Sequence, residues 1–169
     1  LHPERLMRRY TFDLPLGIAD QEGAWLRVRD EGEKVTLSYK RLRDRSVTGT
    51  SEVSLEVDSF EQAREFLKAL SAREKSYQET RRETWSLNRS EVTIDTWPWI
   101  PPFVEIESSS VEELQRTAAS LGLDWKQALH GSVENAYTAY YDISEEEVSG
   151  WPAITFGPVP EWLACKKRA

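Results

Sequence analysis

Apolar and polar residues alternate with a period of two in five short segments, the pattern of strands buried on one face. In 24–30, Leu26 and Val28 share one face while Arg27 and Arg29 share the other. In 34–40, Val35, Leu37 and Tyr39 alternate with Lys34, Thr36, Ser38 and Lys40. In 52–57, Val53, Leu55 and Val57 alternate with Glu52, Ser54 and Glu56. In 92–95, Val92 and Ile94 alternate with Thr93 and Asp95, and in 103–107, Val104 and Ile106 alternate with Phe103, Glu105 and Glu107. The second face of each strand is therefore charged, and both signs recur on it.

Two readings of that face follow. An antiparallel sheet can leave one face wet, with charges paired across strands for a few tenths of a kcal/mol each. Alternatively the sheet curls into a barrel, apolar side outward and covered by helices. The charges are then enclosed, and an unpaired enclosed charge costs several kcal/mol. A surface that holds a polyanion together with a divalent cation needs both signs.

The remaining elements follow from local signals. Residues 6–13 read as a strand ended by Leu14-Pro15-Leu16-Gly17. Segments 24–30 and 34–42 form a hairpin through a turn containing Gly32. Residues 43–51 are polar and loop-like. Ser59, three before Gln62, opens a helix carrying Phe60, Ala63, Phe66, Leu67 and Leu70. Residues 77–88 read as a strand polar on both faces, paired with 91–97 through Asn88-Arg89-Ser90. Trp97-Pro98-Trp99-Ile100-Pro101-Pro102 is rigid and aromatic, either a binding ledge or a packed plug at a barrel end. Ser110, with Glu113 three later, opens a second helix that stops at Gly122. Asp124 with Gln127 and Ser132 with Asn135 suggest two short helices, and 148–169 reads as an irregular wrap. No internal repeat or linker divides the chain. It is read as one α+β domain, with barrel strands over about 6–107 and a helical extension over 108–169.

Composition narrows the chemistry. The 169 residues are 39% hydrophobic and 30% charged, enough for one globular core. A net charge of -7 excludes a basic footprint for nucleic acid. The cluster Arg41, Arg43 and Arg45 reads more simply as a solvated loop. A single cysteine, Cys165, excludes an internal disulfide framework and a cysteine zinc site. His2 and His130 are the only histidines, which gives little support to catalysis by a Ser-His-Asp unit. His130 reads as a cap or packing residue beside Gly131. No apolar run reaches the ~18 residues of a membrane-spanning helix, and no signal peptide is visible, so a cytoplasmic protein is expected.

The runs Trp25-Leu26-Arg27-Val28-Arg29, Lys34-Val35-Thr36-Leu37-Ser38-Tyr39-Lys40 and Phe103-Val104-Glu105-Ile106-Glu107 resemble the CYTH superfamily. This group of triphosphate tunnel metalloenzymes includes class IV adenylate cyclases and thiamine triphosphatases. Thr11-Phe12-Asp13 resembles the first-hairpin strand of that family, and Arg81-Arg82-Glu83 its later basic strand. The resemblance implies an antiparallel β-barrel, or tunnel, with helices packed outside and a triphosphate and divalent metal within. Arg27 and Arg29 are then expected to grip phosphate oxygens with their planar forks. Lys40 and Lys34 add point charges, and Arg82, with Arg81 as competitor, completes the basic set. Glu105 and Glu107 match the acidic pair that holds Mg²⁺ or Mn²⁺, and Glu52, Glu56 and Asp95 are ligands or supports for the basic side chains. The family hallmark Glu-x-Glu-x-Lys has no match before Arg9. With Leu1 opening the chain, this predicts a further N-terminal strand ahead of it.

The resemblance implies a metal-dependent enzyme acting on a small-molecule triphosphate. Attack by water gives hydrolysis of tripolyphosphate or an organic triphosphate; attack by a ribose hydroxyl gives cyclic AMP and pyrophosphate. Hydrolysis is preferred, because no dedicated adenine pocket is legible. A non-catalytic nucleotide- or polyphosphate-binding module and a purely structural domain are the rivals. The extension over 108–169 is expected to cover the barrel, cap one mouth or form a homodimer contact.

Overall fold

The computed structural model describes residues 2–43 and 49–168. Arg45 and the middle of the polar 43–51 loop lie outside the described residues. Eight strands form one sheet: β1 (His2–Asp13), β2 (Ala24–Asp30), β3 (Val35–Leu42), β4 (Thr50–Val57), β5 (Arg73–Leu87), β6 (Ser90–Thr96), β7 (Phe103–Glu107) and β8 (Ala153–Ile154). Their order is β4-β3-β2-β1-β5-β6-β7, antiparallel throughout this path, and β8 adds to β5 in parallel. The sheet curls into a half-barrel with helices outside. Among the described residues no β4–β7 pairing closes the ring.

Alternation decides the two faces. The short α1 (Ile18–Gln21) lies between β1 and β2. Tyr10, Phe12, Leu26, Val28, Val35 and Leu37 point outward, where they pack against α2 (Phe60–Ala69) through Phe60, Ala63 and Leu67. Ser59 accepts from the Gln62 backbone N–H and fixes the start of that helix. Val28 and Phe12 are fully buried there. At ~25 cal/mol per Å² of apolar area removed from water, such residues each contribute about 2 kcal/mol. α3 (Val111–Ser120) packs beside β6 and β7, with Ser90 and Thr117 bonded at 2.9 Å beneath it.

A second core gathers around Trp97 at one end of the concave face. Tyr137, on α4 (Glu134–Tyr140), is fully buried and donates to the Pro98 carbonyl at 2.8 Å. Tyr141 donates to the Trp99 carbonyl. Ile154 of β8, Val148 of α5 (Glu145–Ser149) and Leu163 of α6 (Glu161–Ala164) complete this core. The aromatic-proline stretch is thus a packed plug. Its prolines leave carbonyls without ladder partners, and two tyrosine hydroxyls fill that gap.

Several elements exceed their sequence signals. β1 runs back to His2, and its pairing with β5 shifts between His2 and Arg5, where Pro3 cannot donate. β5 begins at Arg73, because a strand polar on both faces has no alternation to mark its start. The Asp124 segment is a single 3-10 turn, Trp125–Gln127. α4 takes no side-chain cap from Ser132; Asn135 donates instead to the His130 carbonyl at 2.8 Å. The tail contains β8 and α6 rather than only irregular chain. Among the described residues no helix is long and apolar enough to cross a membrane.

Candidate functional site: a charged cavity on the concave sheet face

The inward face of the curled sheet borders a cavity of about 1280 Å³. Register places its charges. Arg9 on β1 stands opposite Arg29 on β2, and Thr11 opposite Arg27. Lys40 on β3 stands opposite Glu52 on β4. Arg82 on β5 stands opposite Asp95 on β6. Arg9, Arg27, Arg29, Lys40, Glu52, Arg82, Glu105 and Glu107 all line the one cavity.

Most of the cations there already have an acid. Arg27 donates to Glu52 at 3.2 Å, and Lys40 reaches the other oxygen of that carboxylate at 3.0 Å. Arg29 donates through Nε to Glu31 at 2.8 Å. Arg82 donates to Asp95 and, at 2.6 Å, to Glu105. Arg9 is the exception. Only 7% exposed, it donates to the Thr80 hydroxyl at 2.8 Å and lies 4.6 Å from the Trp97 ring centroid. Among the described residues no carboxylate is within ion-pair distance of it. The buried Nε of Arg9 and that of Arg27 have no hydrogen-bond partner.

The electrostatics follow. Burial, then the neighbouring charges of Arg27, Arg29 and Arg82, hold the Arg9 guanidinium well below the usual arginine range. Burial and then Arg29 lower Arg27 to about 10. Burial and then Arg27 lower Lys40. Burial opposes the Glu52 carboxylate, but the Lys40 hydrogen bond and charge outweigh it, and the net shift is down. Burial pushes Glu105 up to about 7 against the pull of Arg82. A cavity in which cations are held below their ordinary range favours the arrival of an anion.

The sequence-derived residues divide accordingly. Arg27, Arg29, Lys40, Arg82, Glu105, Glu107, Glu52 and Asp95 come together. Arg82 rather than Arg81 points inward; Arg81 stacks on the Phe156 ring at 4.6 Å on the other side of the strand. Lys34 is exposed in the turn before β3, outside the cavity lining. Glu56 has the inward parity but lies exposed toward the far end of β4. Sequence reasoning missed Arg9 and Glu31. The alternation of Arg9 and Thr11 with Tyr10 and Phe12 was a usable signal for the first.

The carboxylates of the cavity offer an incomplete donor set for a divalent metal. Glu105 and Glu107 are two apart on β7 and line the cavity, but Glu105 is committed to Arg82. The inward positions of β1 carry Arg5, Met7 and Arg9, none of them a carboxylate. Among the described residues no group of three or more His, Cys, Asp or Glu is placed to hold a metal ion. The side chains present therefore do not build a resident metal cage. The expected Glu-x-Glu-x-Lys strand does not occur among the described residues.

The curled antiparallel sheet with helices outside matches the tunnel fold of CYTH proteins. The chain belongs to the CYTH family: it matches the CYTH domain over residues 12–141. No curated protein matches it. Among solved structures, the PH1012 protein from Pyrococcus horikoshii is similar, with 25% identity, a TM-score of 0.60, and 73% of this chain and 76% of that one covered. A candidate adenylate cyclase from Vibrio parahaemolyticus superposes with a TM-score of 0.66 at 13% identity, covering 82% of this chain and 83% of that one. A candidate adenylyl cyclase from Hippeastrum, described as having a dominant triphosphatase activity, gives a TM-score of 0.51 at 17% identity, covering 70% and 72%. The last two likenesses are of fold.

Proposed function

We propose that the concave face binds a triphosphate chain and that the reaction open to the bound chain is hydrolysis by water. Arg9 carries the reading. A buried guanidinium with no carboxylate at ion-pair distance among the described residues, ringed by Arg27, Arg29 and Arg82, costs several kcal/mol unless an anion joins it. Arginine forks bind phosphate oxygens in pairs, so the four guanidiniums and Lys40 can grip successive phosphoryl groups. Membership of the CYTH family, whose proteins act on small triphosphates, supports this substrate class. Hydrolysis is preferred to nucleotide cyclisation because the Trp97 ring, a candidate for stacking a base, is already buried under Arg9 and packed on Tyr137.

A second reading, a binding module without turnover, is favoured by the acid pairings. Glu31, Glu52, Asp95 and Glu105 are all in ion pairs with basic side chains of the site. Family members are metal-dependent, so the test supplies Mg²⁺ or Mn²⁺. The protein is incubated with tripolyphosphate and, separately, ATP, and all products are identified. Orthophosphate release supports hydrolysis. Cyclic AMP with pyrophosphate replaces hydrolysis by cyclisation. Measurable binding without product leaves the binding module.

A further inference from the structure

We infer that the segment between α3 and α4 is a specificity wall, on which Trp125 and His130 hold an aromatic heterocycle without negative charge that is attached to the phosphate chain. The inference rests on the triphosphate reading above and concerns which triphosphates the site takes.

Three observations carry it. First, the two sides of the cavity differ in charge. The sheet side brings Arg9, Arg27, Arg29, Lys40, Lys75 and Arg82 among its acids. The lining between Ser108 and Ser149 contains no lysine or arginine, but does contain Asp124, Glu134 and Glu145. A phosphate chain is repelled from that helical side, so the group that meets it is one without negative charge. Second, the helical side offers apolar surface that no core covers. Leu123 and Leu129, both in the lining, are 44% and 64% exposed. Trp125 and His130 line the same stretch and are partly exposed, with ring centroids 5.7 Å apart and planes tilted by 57°. Apolar and aromatic residues bordering a cavity are the usual lining of organic-ligand sites, and an aromatic face stacks heterocycles. Third, the rings are held in place before a ligand arrives. The Asp124 side chain accepts from the Lys126 backbone N–H at 3.0 Å and from the Gln127 amide at 3.1 Å. Asn135 donates to the His130 carbonyl at 2.8 Å. Gly131 turns the chain at φ +128°, where a Cβ would lie 2.6 Å from the Asn135 amide nitrogen. A wall preset in this way loses little freedom on binding.

Inorganic tripolyphosphate has nothing to place on this wall. The cavity, at about 1280 Å³, has room for a head group beside the chain, since sites for organic ligands typically measure ~300–1,000 Å³. The wall acts in recognition, so the inference holds for hydrolysis and for cyclisation alike.

The test is calorimetric titration of the full chain, in excess Mg²⁺, with inorganic tripolyphosphate and with ATP, GTP, CTP and UTP in turn. At least one nucleoside triphosphate is expected to bind saturably. In Trp125→Ala its affinity should fall by about tenfold, the worth of one base stacked on an aromatic ring. Tripolyphosphate affinity should stay unchanged in the same variant, and Trp125→Phe, which keeps an aromatic face, should recover most of the loss. His130→Ala should shift the nucleotide alone, by less. Equal losses for tripolyphosphate and nucleotide would make Trp125 structural and overturn the inference, as would no loss for either. Tripolyphosphate binding with no measurable binding of any of the four nucleotides overturns the inference and leaves the triphosphate reading standing. Absence of binding by all five ligands overturns both. The five wild-type titrations do not depend on any variant folding.

Discussion

Arg9 and Arg29 face each other directly across the β1–β2 ladder, both on the concave side. Like charges in that position are destabilising by a few tenths to about 1 kcal/mol. Glu31 offsets the Arg29 charge at 2.8 Å, and among the described residues no carboxylate pairs with Arg9, which feels Asp95 only at longer range. The sheet thus stores an electrostatic cost where a ligand can relieve it, as binding sites do when they depart from the rules that stabilise the rest of a fold.

Replacing the Arg27 fork by a point charge tests whether geometry or charge alone matters. Arg27→Lys keeps the cation and loses paired donation. The dissociation constant for tripolyphosphate is expected to rise about tenfold, measured by calorimetry. An unchanged constant would remove Arg27 from the phosphate-binding set.

Neighbouring arginines on β5 should behave differently. Arg82→Ala strands Asp95, whose side chain is 1% exposed, and should cost about 3 kcal/mol of folding stability in urea. Arg81→Ala removes only the stack on Phe156, worth about 0.5–1 kcal/mol. Equal losses would mean that the two faces of β5 have been assigned the wrong way round.

Glu105 gives the site a pH dependence of defined sign. Its carboxyl is raised to about 7 from an ordinary value near 4.5, so the folded state binds more protons across that window. Stability therefore falls as pH rises from about 4.5 to 7, and the loss is complete above the folded value. Arg82, Asp95 and Glu107 face the same group. Its side chain is 38% exposed, which moderates the size of the effect. The difference in denaturation midpoint between wild type and Glu105→Gln, followed from pH 5 to pH 8, should swing in favour of the variant as pH rises. A difference that stays constant with pH would remove Glu105 as the titrating group.

Tyr137→Phe deletes a buried hydroxyl and leaves the Pro98 carbonyl without its 2.8 Å donor. The expected cost is about 1–2 kcal/mol in urea denaturation. Tripolyphosphate affinity should change little, because Tyr137 does not line the cavity.

The legibility of this fold varied with its alternation. Val35, Leu37 and Tyr39 against Thr36, Ser38 and Lys40 fixed both the strand and its faces, and the same holds for Leu26 and Val28 against Arg27 and Arg29. Ser59 and Ser110 marked two helix starts correctly, because a side-chain cap is a local event. Lys34 shares its parity with Lys40, but parity does not say where a strand stops, and β3 begins one residue later. Glu56 also has the right parity, yet sheet curvature leaves its end of β4 in solvent. Partners such as Glu31 come from turn geometry, and β8, two residues long, exists only through its pairing with Tyr77 and Gln78. Such long-range contacts leave no periodic trace. Arg9 is a different kind of omission, since Tyr10 and Phe12 had already fixed its face.

The cation held over the Trp97 indole makes the protein its own optical gauge. An indole's emission responds to the field across its ring, and Trp97 is 4% exposed, so bulk solvent contributes little to that field. An anion docking on Arg9 changes the field without touching the ring. Seven tryptophans emit together, so the informative signal is the part of the fluorescence change lost in Trp97→Phe. Occupancy of the cavity can then be followed in real time with no label and no coupled reaction.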